Sequence, residues 1–366
     1  MQTIQSTASD KFSGKRVSVF TLRNKRGTEA TITNYGAIIL SFKIKKQNGS
    51  INDVVLGFDK PEDYLDEKYL SNYPYFGAAV GRYGNRIKNG KMEIDGKKYE
   101  LAVNMGTDHI HGGKVGFDKK VWNIVSFDED KNILKLSLKS PDGEEGYPGN
   151  LDVSLTFELN ENNELSHEYL ATTDKPTAVN LTHHGYFNLN NGKGRVDDYF
   201  VQINASSILE QDENLTTNGN YIPVEHTRFD FRKTHKMSSL WGNVPGFDQS
   251  FVVDKQEKEL AWAAEAFSEE SKTRLEILTT EPVVHFYTGI GLPIIKGKGD
   301  TEYGPFSGFC FETQVHPNAI NIPSFPNTVL RPGETYRHKT VYRLSNINNW
   351  LELFIPARNK ISPLSN

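Results

Sequence analysis

The chain has 366 residues, with 42 Lys plus Arg against 46 Asp plus Glu and a net charge of −4. That balance argues against a nucleic-acid or anionic-membrane surface as its main partner. Hydrophobic residues make up 37% and charged residues 24%, the proportions of a soluble globular protein long enough to bury a large core.

The first residues, Met1 to Asp10, are polar and carry no apolar signal region. No uninterrupted apolar run approaches the ~18 residues of a membrane span. We expect a cytoplasmic protein whose residues 1–12 form a polar, frayed segment. Period-two alternation then dominates. Leu40, Phe42 and Ile44 alternate with Ser41, Lys43 and Lys45, and Leu134, Leu136 and Leu138 alternate with lysines and a serine. Leu151, Val153, Leu155, Phe157 and Leu159 alternate with Asp152, Ser154, Thr156 and Glu158. Each is the pattern of a strand with one buried face. Asn48-Gly49, Asp95-Gly96, Asp142-Gly143 and Asn218-Gly219 punctuate the runs as tight-turn signals. Residues 92–101 read as a complete hairpin. Lys258 to Phe267 has helical propensity, but the strand-like run Arg274–Thr280 follows it across a short polar turn, and a hairpin is predicted. Many short strands and frequent turns predict an all-β sandwich or barrel. No linker divides the chain, so a single domain is expected over residues 13–346, with a C-terminal extension over 347–366.

Several segments carry candidate chemistry. Gly81-Arg82-Tyr83-Gly84-Asn85-Arg86-Ile87 is rich in donors and suits a polyhydroxy ligand; alone it is a basic loop. His109 and His111, in Asp108-His109-Ile110-His111-Gly112-Gly113, would share one face of a strand. The His-x-His spacing admits a metal reading, but Val115 and Gly116 stand where a further acidic ligand would be wanted. His183 and His184 are adjacent, so on a strand only one can enter a given pocket. Polar Asn180, Tyr186 and Asn188 flank them within an apolar run. Asp248 lies in Gly246-Phe247-Asp248-Gln249. Glu312 follows the apolar stretch Gly308 to Phe311, where a carboxylate is either paired or desolvated; a general base and a structural salt bridge both fit. Cys310, the only cysteine, fits a reducing compartment and reads as a small core residue or a nucleophile on the face of Glu312.

Taken in order, the segments Gly81–Ile87, His109–Gly113, Asn180–Leu189, Gly246–Gln249, Phe286-Tyr287-Thr288-Gly289 and Glu312-Thr313-Gln314 resemble the aldose 1-epimerase (galactose mutarotase) family. The resemblance runs from about Asn34 to Tyr336. It implies a large antiparallel β-supersandwich and an enzyme that interconverts α and β anomers of a free aldohexose, with no metal and no cofactor. By resemblance His184 is the general acid and Glu312 the general base, while Asn85, Arg86, His111 and Asp248 bind the sugar. His285 takes a position where the family usually has glutamine, exchanging an amide for a group that titrates near pH 6.5. The partner implied is a small aldose bound by a monomer or homodimer, and Phe286 or Tyr287 is expected to cover an apolar sugar face. A sugar-phosphate epimerase, a glycoside hydrolase using Glu312 with Asp248, and a non-catalytic carbohydrate-binding protein are the rival readings.

Overall fold

The computed structural model describes residues 4–8, 12 and 14–347, so the C-terminal extension lies almost wholly outside the described residues. Alternating sequence becomes strand wherever one face finds a partner layer. Arg16–Arg23, Glu29–Thr33, Ile39–Lys45 and Ile51–Asp53 form an antiparallel meander. Ile4–Ala8 pairs with residues 16–20 at its edge, so part of the segment expected to fray is held in a ladder.

A nine-stranded sheet backs the molecule. It begins with Asn123–Asp128, Ile133–Ser140, Leu151–Leu159 and Glu164–Thr173 as consecutive neighbours. The late strand Tyr336–Asn346 then inserts between Glu164–Thr173 and Thr273–Thr279. The helix-prone stretch resolves as expected into a hairpin of Ala261–Phe267 and Thr273–Thr279. Tertiary pairing overrides helix propensity there because both faces of these strands are covered. In the Lys91–Ile94/Lys97–Glu100 hairpin, Asp95 (φ 51°) and Gly96 (φ 78°) supply the two positive φ angles of a two-residue turn.

A six-stranded sheet carries the site. Its central strands are Asp248–Val253, Val283–Tyr287 and Phe309–Gln314. Phe251 opposes Val284, and Phe286 opposes Phe311. These residues are buried in one cluster with Leu134, Leu155 and Phe157 of the nine-stranded sheet. The alternate residues Asp248, Ser250, His285, Tyr287, Cys310 and Glu312 therefore share the other face, with Ser250 opposite His285 and His285 opposite Glu312. One period-two pattern thus supplies a hydrophobic core and, on its reverse, a row of polar groups.

Three histidines fill the layer beneath Thr182–His184. His167 lies 5.2 Å from His183 and 6.1 Å from His338, ring to ring. Burial pushes His167 well below 6.5 and brings His183 and His338 to about 3. They are neutral in the fold, whereas the unfolded chain protonates them below about pH 6.5. Their contribution is complete above that pH and is lost as pH falls, by about 2 kcal/mol per histidine at pH 5. Buried Glu281, pushed up to about 8 by desolvation, acts with the opposite sign across that window. The discriminating measurement is the urea midpoint at pH 7.5 and pH 5. His338→Gln should lose less stability on acidification than wild type; equal losses would show that His338 is not buried neutral.

Candidate active site

Three short stretches converge on the polar face of the six-stranded sheet. Thr182–His184 pairs with Ala78–Val80, and its alternation sends His183 and His184 to opposite sides as expected. His183 donates from Nε2 to the Ala37 carbonyl at 3.3 Å, in the core. His184 faces the pocket, with Nε2 3.5 Å from Glu312 Oε1 and Nδ1 3.7 Å from Cys310 Sγ. The other oxygen, Glu312 Oε2, is buried with no protein partner. Burial pushes the His184 pKa down, and the charge of Glu312 pulls it back up without fully compensating.

His111 approaches from the second stretch. It leaves the His109–Ile110 strand with φ 52° and turns its ring onto His184, 5.2 Å away. Gly112 makes the turn feasible, since a Cβ there would stand 1.9 Å from the Gly81 carbonyl oxygen. His111 Nδ1 accepts the Asn85 backbone N–H at 3.2 Å. Burial, reinforced by His184 and Arg86, pushes its pKa well below 6.5. His111 is therefore neutral, with its hydrogen on Nε2. His109 does not share the face: Nδ1 donates to the Ala102 carbonyl at 2.7 Å, so Nε2 accepts the Tyr147 hydroxyl at 2.5 Å. The His-x-His pair is thus split between a structural histidine and a pocket histidine. His111, His184 and Glu312 offer ligand atoms within 4.8 Å of one another. A cation there would need a bare His111 Nε2, which the Asn85 hydrogen bond disfavours.

The sheet itself provides a second imidazole–carboxylate pair. His285 Nε2 donates to Asp248 Oδ1 at 2.8 Å, and Nδ1 meets Ser250 Oγ at 2.9 Å. Burial raises the Asp248 carboxyl, but the hydrogen bond and charge of His285, with Arg86 and His184, bring it below the ordinary value. Asn85, buried with φ 59°, accepts the Arg86 N–H on its own Oδ1 at 2.9 Å and fixes the turn that presents Arg86. The site residues expected from sequence, Asn85, Arg86, His111, His184, Asp248, His285 and Glu312, are thus linked by contact or by their mutual fields.

A family model described as Aldose 1-epimerase matches residues 18–343. The chain belongs to the aldose 1-epimerase family. It is 42% identical over 320 residues to galactose mutarotase of Sus scrofa, covering 86% of this chain and 90% of that protein. It is 35% identical over 338 residues to aldose 1-epimerase of Escherichia coli, covering 90% and 96%. Among solved structures, a GalM/aldose epimerase homologue from C. elegans superposes with a TM-score of 0.84 at 30% identity, over 91% of this chain and all of the other. Galactose 1-epimerase from Lactobacillus acidophilus gives 0.79 at 28%, over 93% and 98%. The all-β, mutarotase-like fold expected from the sequence is the one observed.

In this family member the structure separates neighbours that the sequence left together. Phe286 does not face a ligand; it stacks on Phe247, 5.5 Å away, inside the core, whereas Tyr287 lies on the pocket face. Arg82 is no partner for Arg86. It is buried the other way, donating to Ser140, to the carbonyls of Pro148 and Gly149 and to Thr177. Sequence reasoning also missed Tyr75, whose ring stacks on His184 at 5.7 Å and meets His111 edge-on at 4.7 Å. The aromatic run Tyr73-Pro74-Tyr75-Phe76 was its signal, indistinguishable there from core.

The Glu312 charge is what raises the His184 pKa against burial. Glu312→Gln removes that support, so His184 should titrate at lower pH in the variant than in wild type, read from its imidazole NMR shifts. An unchanged or higher value would show that the two groups are not electrostatically linked.

Proposed function

We propose that the protein interconverts the α and β anomers of free aldohexoses of the glucose and galactose type by acid–base ring opening and reclosure. The observation that carries the reading is the buried His184–Glu312 pair, 3.5 Å apart, with one carboxylate oxygen unpartnered. Membership of the aldose 1-epimerase family makes it a carbohydrate isomerase.

Glu312 takes the proton from the C1 hydroxyl, and His184, protonated, donates from Nε2 to the ring oxygen. The bond between C1 and the ring oxygen breaks and leaves the open aldehyde. Rotation about C1–C2 offers the other carbonyl face, and reversal of the proton transfers closes the ring. The two transfers assist each other. Negative Glu312 is what favours a charged His184, so once Glu312 accepts a proton the imidazolium loses its support and becomes the stronger acid. General acid–base catalysis of ~10²–10⁴ per group, with positioning, suits a reaction whose intermediate is an ordinary equilibrium form of the sugar.

The neutral His111 donates from Nε2, and with Arg86 it stabilises charge developing on oxygen. Asp248, oriented by His285, accepts a sugar hydroxyl on its remaining oxygen. Tyr75 and Tyr287 offer rings to an apolar sugar face. A sugar-phosphate reading would need a cationic cluster, and Arg82, the other arginine of the Arg86 motif, is committed to Ser140 and the Pro148 carbonyl. Asp248 is held below its ordinary pKa, so a hydrolase reading would have to place its acid on Glu312. We further assign the protein to the cytoplasm, in hexose or galactose metabolism, as a monomer or homodimer. The single cysteine supports a reducing compartment.

Polarimetry of freshly dissolved α-D-glucose and α-D-galactose tests the activity directly. The rotation should relax faster with protein than without, and the rate should be bell-shaped in pH because the pair must carry one proton between its two members. Glu312→Gln and His184→Asn should each lower kcat by about 10²–10⁴ while the fold persists. Near-normal turnover in either would remove that residue from the mechanism. Tyr75→Ala should raise KM several-fold and leave the pH limbs in place.

A further inference from the structure

Two polar side chains that the mechanism leaves unused lie one step beyond Glu312. Gln314 follows it by two residues on Phe309–Gln314, on the same face and about 6.6 Å further along. Its partner across the ladder is Val283, which packs with Leu209, Ala319 and Phe325, so the polar face ends there under an apolar cover. Gln314 is fully buried, and neither Oε1 nor Nε2 has a hydrogen-bond partner among the described residues.

Thr182 stands opposite. Tyr186 pairs with Cys310 in the ladder and His184 meets Glu312 at 3.5 Å, so one more step of two residues along each stretch brings Thr182 to Gln314. The surroundings of Gly84 agree. A Cβ there would stand 2.9 Å from Thr182 Cγ2 and 3.4 Å from Gln314 Oε1, so both side chains reach one point beneath that glycine. Thr182 is fully buried; its backbone carbonyl accepts the Tyr169 hydroxyl, but its Oγ1 has no partner among the described residues. With Glu312 Oε2, three adjoining side chains carry unsatisfied polar atoms in one enclosed place. Buried polar atoms are almost always hydrogen-bonded, and where the protein does not supply the partner an ordered water does.

We propose that Gln314 and Thr182 hold an ordered water against Glu312 Oε2, which makes them positioning residues for the base. The proposal rests on the reading of Glu312 as that base. The water accepts from the Gln314 amide and the Thr182 hydroxyl and donates to Oε2; three partners are usual for a buried water. Two successive hydrogen bonds of ~2.8 Å span the distance between side chains two residues apart on one face. A carboxylate oxygen accepts two hydrogen bonds, so Oε2 keeps a lone pair for the C1 hydroxyl. A donor at Oε2 favours the ionised carboxylate, the form able to take a proton, and so extends activity towards lower pH.

The other groups around Glu312 do not supply this donor. His184 stands at Oε1. His285 opposes Glu312 in the ladder, but its two nitrogens are spent on Asp248 and Ser250. Cys310, Tyr186, Tyr287 and Tyr342 lie within its field, and burial keeps the thiol and the phenols neutral. Arg86 and Asp248, the remaining charges of the pocket, are unaltered in the variants that test the proposal.

Those variants are Thr182→Val, which keeps the shape and removes the hydroxyl, Gln314→Leu, and the two combined. A crystal structure of the wild type should show a water within about 3.2 Å of Glu312 Oε2, Thr182 Oγ1 and the Gln314 amide. Mutarotation of α-D-glucose is followed from about pH 5 to 9. In each variant the acid limb should move up by about one pH unit, the worth of one buried hydrogen bond to a charged group, with the basic limb and KM in place. Below the limb the rate should fall about tenfold, while the plateau stays within about threefold of wild type. The double variant should be no worse than either single one, since all three lose the same water. An empty or protein-filled site in the wild-type density would overturn the proposal, as would an unmoved acid limb in Thr182→Val. A raised KM with the limb in place would make Thr182 and Gln314 sugar contacts and overturn it equally. Should the wild type fail to speed mutarotation, the base assignment falls, and the density alone decides whether the water is held.

Discussion

A buried carboxylate stands 3.5 Å from a buried imidazole and supports its charge against desolvation, and the rest of the site is arranged around that contact. Burial alone pushes the His184 pKa down, and the charge of Glu312 pulls it part of the way back. In the proposed mechanism the pair shares one proton between its two members. Ring opening needs a proton removed at one oxygen and delivered at another, and a pair of this kind links the two events through its own electrostatics. The cost of burying it is met by the fold, whose interior excludes the water that would screen the coupling.

The scaffold makes this possible by using each strand twice. On Val283–Tyr287, Val284 and Phe286 enter the core while His285 and Tyr287 enter the pocket; on Phe309–Gln314, Phe309 and Phe311 do the same opposite Cys310 and Glu312. A slip of one residue in the register would send Phe311 into the pocket and Glu312 into the aromatic core. The aromatic packing behind the sheet therefore fixes the position of the pocket face. The insertion of Tyr336–Asn346 between Glu164–Thr173 and Thr273–Thr279 closes the layer behind it through contacts far apart in sequence.

The strands were legible because their alternation is local, and so was the hairpin at Ala261–Phe267 and Thr273–Thr279. His184 and Glu312 were legible because polar groups inside apolar runs demand a reason. What the sequence could not show was direction. Arg82 and Arg86 sit in one motif, yet Arg82 is consumed by carbonyls and hydroxyls from residues 140–149 and 177, and nothing local distinguishes it from Arg86. His109 and His111 have strand spacing, but the left-handed φ at His111 breaks the shared face. Phe286 and Tyr287 are adjacent aromatics separated only by the sheet plane. Tyr75 belongs to an aromatic run in which Phe76 packs on Phe58 and Tyr69 and Tyr73 packs on Tyr69, and its own contact with His184 arises from tertiary structure alone.

The pocket holds two imidazole–carboxylate pairs, and their separations differ in the way the proposed mechanism requires. His285 and Asp248 meet at 2.8 Å, a full charge-assisted hydrogen bond in which the carboxylate oxygen and the Nε2 proton are both spent. Such a pair is an orienting device: it presents the second Asp248 oxygen to a hydroxyl at a fixed angle, and giving up its proton would cost the whole bond. His184 and Glu312 stand 3.5 Å apart, too far for a strong hydrogen bond, and Glu312 Oε2 has no protein partner at all. The looser pair retains unsatisfied capacity on both members, and a sugar offering a hydroxyl at C1 and an acceptor in its ring supplies what each lacks. On the proposed reading, two pairs built from the same residue types differ in function because one is complete within the protein and the other is completed by the substrate.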